Sequence, residues 1–156
     1  MDNRTRGFER VSRMEEDGEF IALPKRATVD SAGYDLCSAE FKVLKPGCEH
    51  IFKTGIKAYM QIDEYLAVHI RSSKAIKEDL RLINQTGIVD ADYYNNPDNE
   101  GEILIAIKNV GFTSVAIMSG ERIAQGIFTK FLKADNDEFC GIRRGGVGST
   151  DETASM

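Results

Sequence analysis

Gly87-Ile88-Val89-Asp90-Ala91-Asp92-Tyr93-Tyr94 runs two branched apolar residues into two carboxylates and two tyrosines, then into Asn95-Asn96-Pro97-Asp98-Asn99-Glu100-Gly101. Ile88 and Val89 suit a pleated, half-buried surface, so the first part reads as a strand. The second part is dense in turn formers and reads as a hairpin loop. A carboxylate at the mouth of a strand is held by rigid backbone, and an aromatic ring beside it offers a flat face. Asp90 and Tyr93 therefore suit a small-molecule site; taken alone, the stretch reads equally well as a polar hairpin end.

Working outward, the same pattern recurs on both sides. Glu19–Leu23, Ala32–Cys37, Phe41–Leu44, Ile51–Lys53, Ile56–Met60, Tyr65–Ile70 and Arg81–Ile83 precede it, and Glu102–Ile107, Val115–Ile117 and Arg122–Phe128 follow. Short strands broken by turn chemistry about every 8–12 residues predict an all-β sandwich or barrel. Residues 1–17 are charged and read as a short strand with a loop. One helix is expected over Ser72–Leu80, capped by Ser73, with Ala75, Ile76 and Leu80 giving a partly apolar face.

The chain has 156 residues and a net charge of -5, with a pI near 5.1. That length makes one domain. The acidic balance argues against a general nucleic-acid surface. Cys37, Cys48 and Cys140 form no CxxC pair, and there are only two histidines. No dedicated protein metal site is expected, and the thiols read as free in a reducing compartment. No signal-like N-terminus is visible, and no stretch approaches the roughly 18 apolar residues of a membrane span. A soluble, cytoplasmic protein is expected.

After Ala134 the character changes. Asp135–Glu138 is acidic, and Arg143-Arg144-Gly145-Gly146-Val147-Gly148-Ser149-Thr150 is basic and glycine-rich. With little to bury, this tail is expected to be mobile, which divides the chain into a β domain over 1–140 and a tail over 141–156. Glycines let backbone amides approach an anion, Ser149 and Thr150 add hydroxyls, and the arginines add charge, a chemistry suited to polyphosphate. Arg71-Ser72-Ser73, where a strand meets the helix, suits phosphate too, or simply caps the helix. Gln125 lies polar amid apolar neighbours. Asn84 carries a donor and an acceptor that match an amide-like base edge, or close a turn. His50 and His69 lie within strands and read as structural.

In order, Ala32-Gly33-Tyr34-Asp35-Leu36, Arg71-Ser72-Ser73, Asn84-x-x-Gly87-Ile88-Val89-Asp90-x-Asp92-Tyr93, Gly120-Glu121-Arg122-Ile123-Ala124-Gln125 and Gly145-Gly146-Val147-Gly148-Ser149-Thr150 resemble the five ordered motifs of the homotrimeric dUTPases. The likeness spans roughly residues 20 to 151. The Asn95–Gly101 loop and Phe128-x-x-Phe131-Leu132-x-Ala134-Asp135 resemble the variant found in Gram-positive bacteria and their phages.

The resemblance implies a distorted jelly-roll, β-barrel-like subunit with one short helix, and a homotrimer with three shared sites. It implies Mg²⁺-dependent hydrolysis of dUTP to dUMP and pyrophosphate, limiting uracil incorporation into DNA. Asp90 then orients and activates the attacking water, and Tyr93 lies under the deoxyribose, where a 2'-hydroxyl would clash. Asn84 reads uracil with the backbone of Gly87 and Val89. Arg71, Ser72 and Ser73 hold phosphate, and Gln125 contacts the α-phosphate. Asp35 supports the site or the water shell of Mg²⁺, which is held mainly by phosphate oxygens and water. Gly146, Val147, Gly148, Ser149 and Thr150 close over the phosphates, probing a neighbouring subunit's site, with Arg143 or Arg144 as the tail's phosphate-binding arginine.

Two positions depart from the family pattern. Val147 stands where a uracil-stacking phenylalanine is usual, and Ile70 where a proline often precedes the arginine. Two other readings stay open here: a dCTP deaminase or bifunctional deaminase-diphosphatase, which needs a glutamate in the base pocket, and a phage-type dUTPase with a regulatory protein partner.

Overall fold

Glu102–Asn109 alternates so strictly that its position in the fold follows from its sequence. Ile103, Ile105 and Ile107 all point inward and are at most 1% exposed. Truncating one of them to alanine costs about 2–5 kcal/mol. In the computed structural model, which describes residues 4–16, 21–138, 141, 143 and 145, this strand lies inside a four-stranded antiparallel sheet.

The elements in chain order are β1 (Gly7–Arg10), α1 (Ser12–Glu16), β2 (Tyr34–Cys37), β3 (Lys42–Leu44), β4 (Glu49–Tyr59), β5 (Glu64–Ile70), α2 (Ser72–Lys77), β6 (Leu80–Leu82), β7 (Gly87–Asp90), β8 (Glu102–Asn109), β9 (Val115–Ile117) and β10 (Arg122–Lys130). One sheet has the order β1-β4-β8-β6, a second β2-β10-β5-β7, and β3 pairs with β9 alone. Phe52, Leu36, Leu66, Leu80 and Ile123 fill the core and are fully buried. All the strand pairs are antiparallel, and the sheets do not close into a barrel.

Several sequence expectations are corrected. Two short helices are present among the described residues, not one. The unforeseen α1 is held by tertiary contacts: the Ser12 N–H donates to Glu100 at 3.1 Å, and Met14 is buried against Gly55. The helix after Arg71 ends at Lys77 rather than Leu80, because Asp79 takes a positive φ of 52°. Arg71, not Ser73, is its N-cap, and no side chain caps it. Ile21–Leu23 forms no strand, although Ile21 is buried; Glu19 and Phe20 lie outside the described residues. The two strands expected on either side of Thr54-Gly55 are one strand, β4, with a bulge there. The Thr54 hydroxyl donates to the Ile103 carbonyl at 2.7 Å across that bulge.

The largest correction concerns the opening stretch. β7 and β8 do not form a hairpin. β7 pairs with β5 in one sheet, and β8 with β4 and β6 in the other. Residues 95–101 therefore carry the chain from sheet to sheet.

Candidate active site

β6 and β7 are outermost strands of different sheets, joined by residues 83–86. The sheets part at this place and leave a cavity of about 280 Å³, lined by Val68, Asn84, Gly87, Val89, Tyr93 and Ile105 among others. As an edge strand, β7 turns one row of backbone groups toward this space rather than toward another strand. Asp90 and Arg143 stand at the same cavity. No glutamate is among its described lining residues.

Asp90 closes β7, and the next three residues, Ala91–Tyr93, make a single 3₁₀ turn. That turn presents the Asp90 carboxylate and the Tyr93 ring from neighbouring backbone. Burial raises the Asp90 pKa above the ordinary carboxylate value; Arg143 opposes the shift, and Asp92 adds to it. Arg143 Nη2 donates to Asp90 at 2.6 Å and Nε to Asp92 at 2.8 Å. The guanidinium also lies 5.7 Å from the centre of the Tyr93 ring.

A second group forms where β2, β10 and the start of α2 meet. Asp35 Oδ1 lies 3.1 Å from Arg71 Nε, and Asp35 Oδ2 accepts from Arg122 Nη1 at 3.1 Å. Gln125 stands opposite Asp35 on β2 and opposite His69 on β5, so these three side chains share one face. The Arg71 N–H donates to the Ile123 carbonyl at 3.3 Å, fixing the helix start against β10. Ser72 is exposed and Ser73 half-buried in the first turn of that helix.

Lys74 braces this group from behind. Its side chain is 6% exposed, and its ammonium donates to Glu78 at 2.8 Å and to Glu121. Burial works against that charge, but the two carboxylates outweigh it and raise the Lys74 pKa. Gly33 packs on Gln125; a Cβ added there would lie 2.3 Å from the Gln125 amide oxygen. Gly33, Arg122 and Glu121 all sit inside the motifs quoted above, but their roles emerge only from the contacts.

The two groups lie on one sheet face. Tyr65 pairs with Asp90, and His69, four residues further along β5, pairs with Gln125. Four residues along and two strands across is about 13 Å by 10 Å, so Asp90 and Gln125 stand roughly 16 Å apart. Ala67 and the exposed Ile88 lie between them on this face. The structure thus joins Asp90, Asn84, Gly87, Val89, Tyr93 and Arg143 in one half, and Asp35, Arg71, Ser72, Ser73 and Gln125 in another. It does not bring the halves together within one chain. Arg144, Gly146, Val147, Gly148, Ser149 and Thr150 lie outside the described residues.

No group of three or more metal-ligating side chains occurs among the described residues. Cys37 and Cys48 are free thiols, while Cys140 is outside the described set. No described helix is long and apolar enough to cross a membrane. A larger hollow of about 450 Å³ lies on the N-terminal flank. Its polar groups are engaged with one another or with nearby backbone: Ser12 with Glu100, and Arg10 with the Ile21 carbonyl at 2.7 Å.

A family model described as dUTPase matches residues 19–151. The deoxyuridine 5'-triphosphate nucleotidohydrolase of Lactococcus lactis subsp. lactis is 47% identical over 149 residues, covering 94% of this chain and 98% of that one. The protein of that name from Corynebacterium jeikeium is 32% identical over 139 residues, covering 88% and 84%. The crystal structure of dUTPase from Streptococcus mutans superposes with a TM-score of 0.75 at 42% identity, covering 83% of this chain and 99% of that one. The dUTPase from phage phi11 of S. aureus shares the fold, with a TM-score of 0.72 at 22% identity, covering 87% and 96%.

Proposed function

The chain belongs to the dUTPase family and hydrolyses dUTP, and on that premise we propose how its residues divide the work. The observation that carries the reading is Asp90 at the rim of a cavity that Asn84, Gly87, Val89 and Tyr93 line. Uracil enters this cavity and is read by the Asn84 amide and the free edge of β7. Deoxyribose lies on Tyr93. Asp90 takes a proton from a water aligned with the α-phosphorus; that oxygen bonds to phosphorus, and the bond to the bridging oxygen breaks. dUMP and pyrophosphate leave. Arg71, Ser72, Ser73 and Gln125 hold the phosphates and stabilise the charge that develops there.

Mg²⁺ bound to the triphosphate would offset its charge. The donor set fits an ion carried this way. Asp35 already faces two arginines, and Asp90 and Asp92 face Arg143, so phosphate oxygens and water would supply most of its ligands. Asp35 orients Arg71 and Arg122, and through them the phosphates.

The 16 Å gap bears on assembly. A phosphate gripped by Gln125 while its attacking water is held by Asp90 needs both groups within about 3 Å of the reacting atoms. One chain does not offer that, which supports a site completed between copies, in the homotrimer that the family resemblance implies. Ile88, exposed between the halves, would then be covered by a neighbour. In such a trimer the tail, with Arg143 or Arg144, closes over the phosphates; in the single chain Arg143 holds the place beside Asp90.

Deamination of dCTP is the weaker reading, since no described lining residue is a glutamate. Pyrophosphate release from dUTP, dTTP, UTP and dCTP with Mg²⁺ tests the proposal. Strong preference for dUTP without ammonia release from dCTP is expected; equal rates on dUTP and UTP, or ammonia release, would contradict it.

A further inference from the structure

Tyr93 is buried, yet its hydroxyl has two partners. It donates to the Glu102 carbonyl at 3.0 Å and accepts from Asn99 Nδ2 at 2.8 Å. The second partner comes from the 95–101 crossover, a segment that neither cavity nor motif calls for. Its interior is a connected amide network. Asn96, 5% exposed, donates to the Tyr93 carbonyl and to Asn99 Oδ1, both at 2.8 Å. Asn99 Oδ1 also accepts from the Gly101 N–H at 3.1 Å, and Asn96 Oδ1 accepts from the Asn99 N–H at 3.2 Å. Gly101 has a φ of +82°, and a Cβ there would lie 2.5 Å from the Tyr93 carbonyl.

The crossover is also tied down from outside. Lys57 donates to Asn95 at 2.7 Å and lies 3.5 Å from Glu100, which in turn accepts from Ser12. Glu102, whose carbonyl accepts from the Tyr93 hydroxyl, is itself fixed by Arg13 at 2.6 Å and by the Gly55 N–H at 2.8 Å. Asn99 and Glu102 thus hold one phenol from both its lone-pair and its proton side. A buried hydroxyl held at two points cannot swing, so the ring plane is set by Asn99 and Glu102.

We propose that Asn99 is a positioning residue for sugar selection: it fixes the Tyr93 ring so that the ring surface excludes a ribose 2'-hydroxyl. A ring free to tilt would relax the clash with the extra oxygen. This inference rests on Tyr93 as the sugar platform, and adds that the platform's rigidity comes from the crossover.

The test is the ratio of kcat/KM for dUTP and UTP, with melting temperature recorded in parallel. Asn99→Ala lowers that ratio roughly five- to tenfold, the weight of one buried hydrogen bond. Asn99→Asp keeps both acceptor contacts but has no N–H for the phenol oxygen, so it lowers the ratio as the alanine variant does and separates the Tyr93 hydrogen bond from the crossover's own network. In a Tyr93→Phe background Asn99→Ala adds less than about twofold, since the shared hydroxyl is gone. Asn99→Ser, which keeps turn chemistry but cannot reach the hydroxyl, replaces the alanine variant if that one fails to fold. A folded Asn99→Ala or Asn99→Ser with an unchanged ratio, or effects that simply add to those of Tyr93→Phe, overturns the proposal. Tyr93→Ala separates the two levels. A collapsed ratio there with none in the Asn99 variants refutes Asn99 alone; an unchanged ratio refutes the platform, and Asn99's role with it.

Discussion

The phosphate half and the nucleoside half of the candidate site are built in opposite ways. At Asp35 every charge is answered: two arginines meet one carboxylate, and the buried Lys74 behind them meets Glu78 and Glu121. At Asp90 the adjoining cavity is lined mainly by apolar residues, partial burial lifts the carboxyl's pKa, and the arginine that opposes the shift comes from the far end of the chain. A cross-braced cluster holds its geometry and suits positioning. A carboxylate with a raised pKa beside a removable cation suits proton transfer. The contrast supports the proposed division, with binding in one half and chemistry in the other.

That contrast can be broken from either side. Asp90→Asn should lower kcat on the order of 10³-fold, while calorimetry should find dUTP binding within a few-fold of wild type; normal turnover would remove Asp90 from the chemistry. Lys74→Ala should cost about 3 kcal/mol, because two carboxylates lose their buried partner. Thermal unfolding reads this, and an unchanged melting temperature would mean that the brace is idle. Gly33→Ala crowds Gln125 and should lower kcat/KM about tenfold by disturbing one ligand hydrogen bond, with little change in melting temperature.

The smallest effect expected is a shift in pH dependence on Arg143→Ala. Arg143 lowers the Asp90 pKa, so its removal lets burial raise that pKa further. Asp90 must be ionised to act as base, so the acid limb of kcat/KM should move to higher pH. A limb that stays put or moves down would separate Arg143 from Asp90 in the working enzyme.

Much of this was legible in the chain. β5, β8 and β10 announce themselves by alternation of branched apolar residues, and the motif order brought Asp90, Tyr93, Arg71 and Gln125 forward. Strand pairing was not legible at 95–101, because a turn-rich run reads alike whether it joins paired strands or crosses between sheets. α1 was hidden because five residues carry too little periodicity; its stability comes from Glu100 and Gly55, many residues away. Lys74 reads as a solvated lysine until Glu121 is placed beside it, and Asn99 reads as one more turn former until its amide reaches Tyr93.

The proposed meeting of the halves between chains is tested most directly by subunit mixing. Asp90→Asn spoils the nucleoside half and Arg71→Ala the phosphate half, so each variant alone should be nearly inactive. Refolded together in equal amounts, they should regain about a quarter of wild-type activity, because a cyclic trimer with sites between chains joins two intact halves at one site in four. A mixture no more active than its components would place both halves in a single chain and contradict the account.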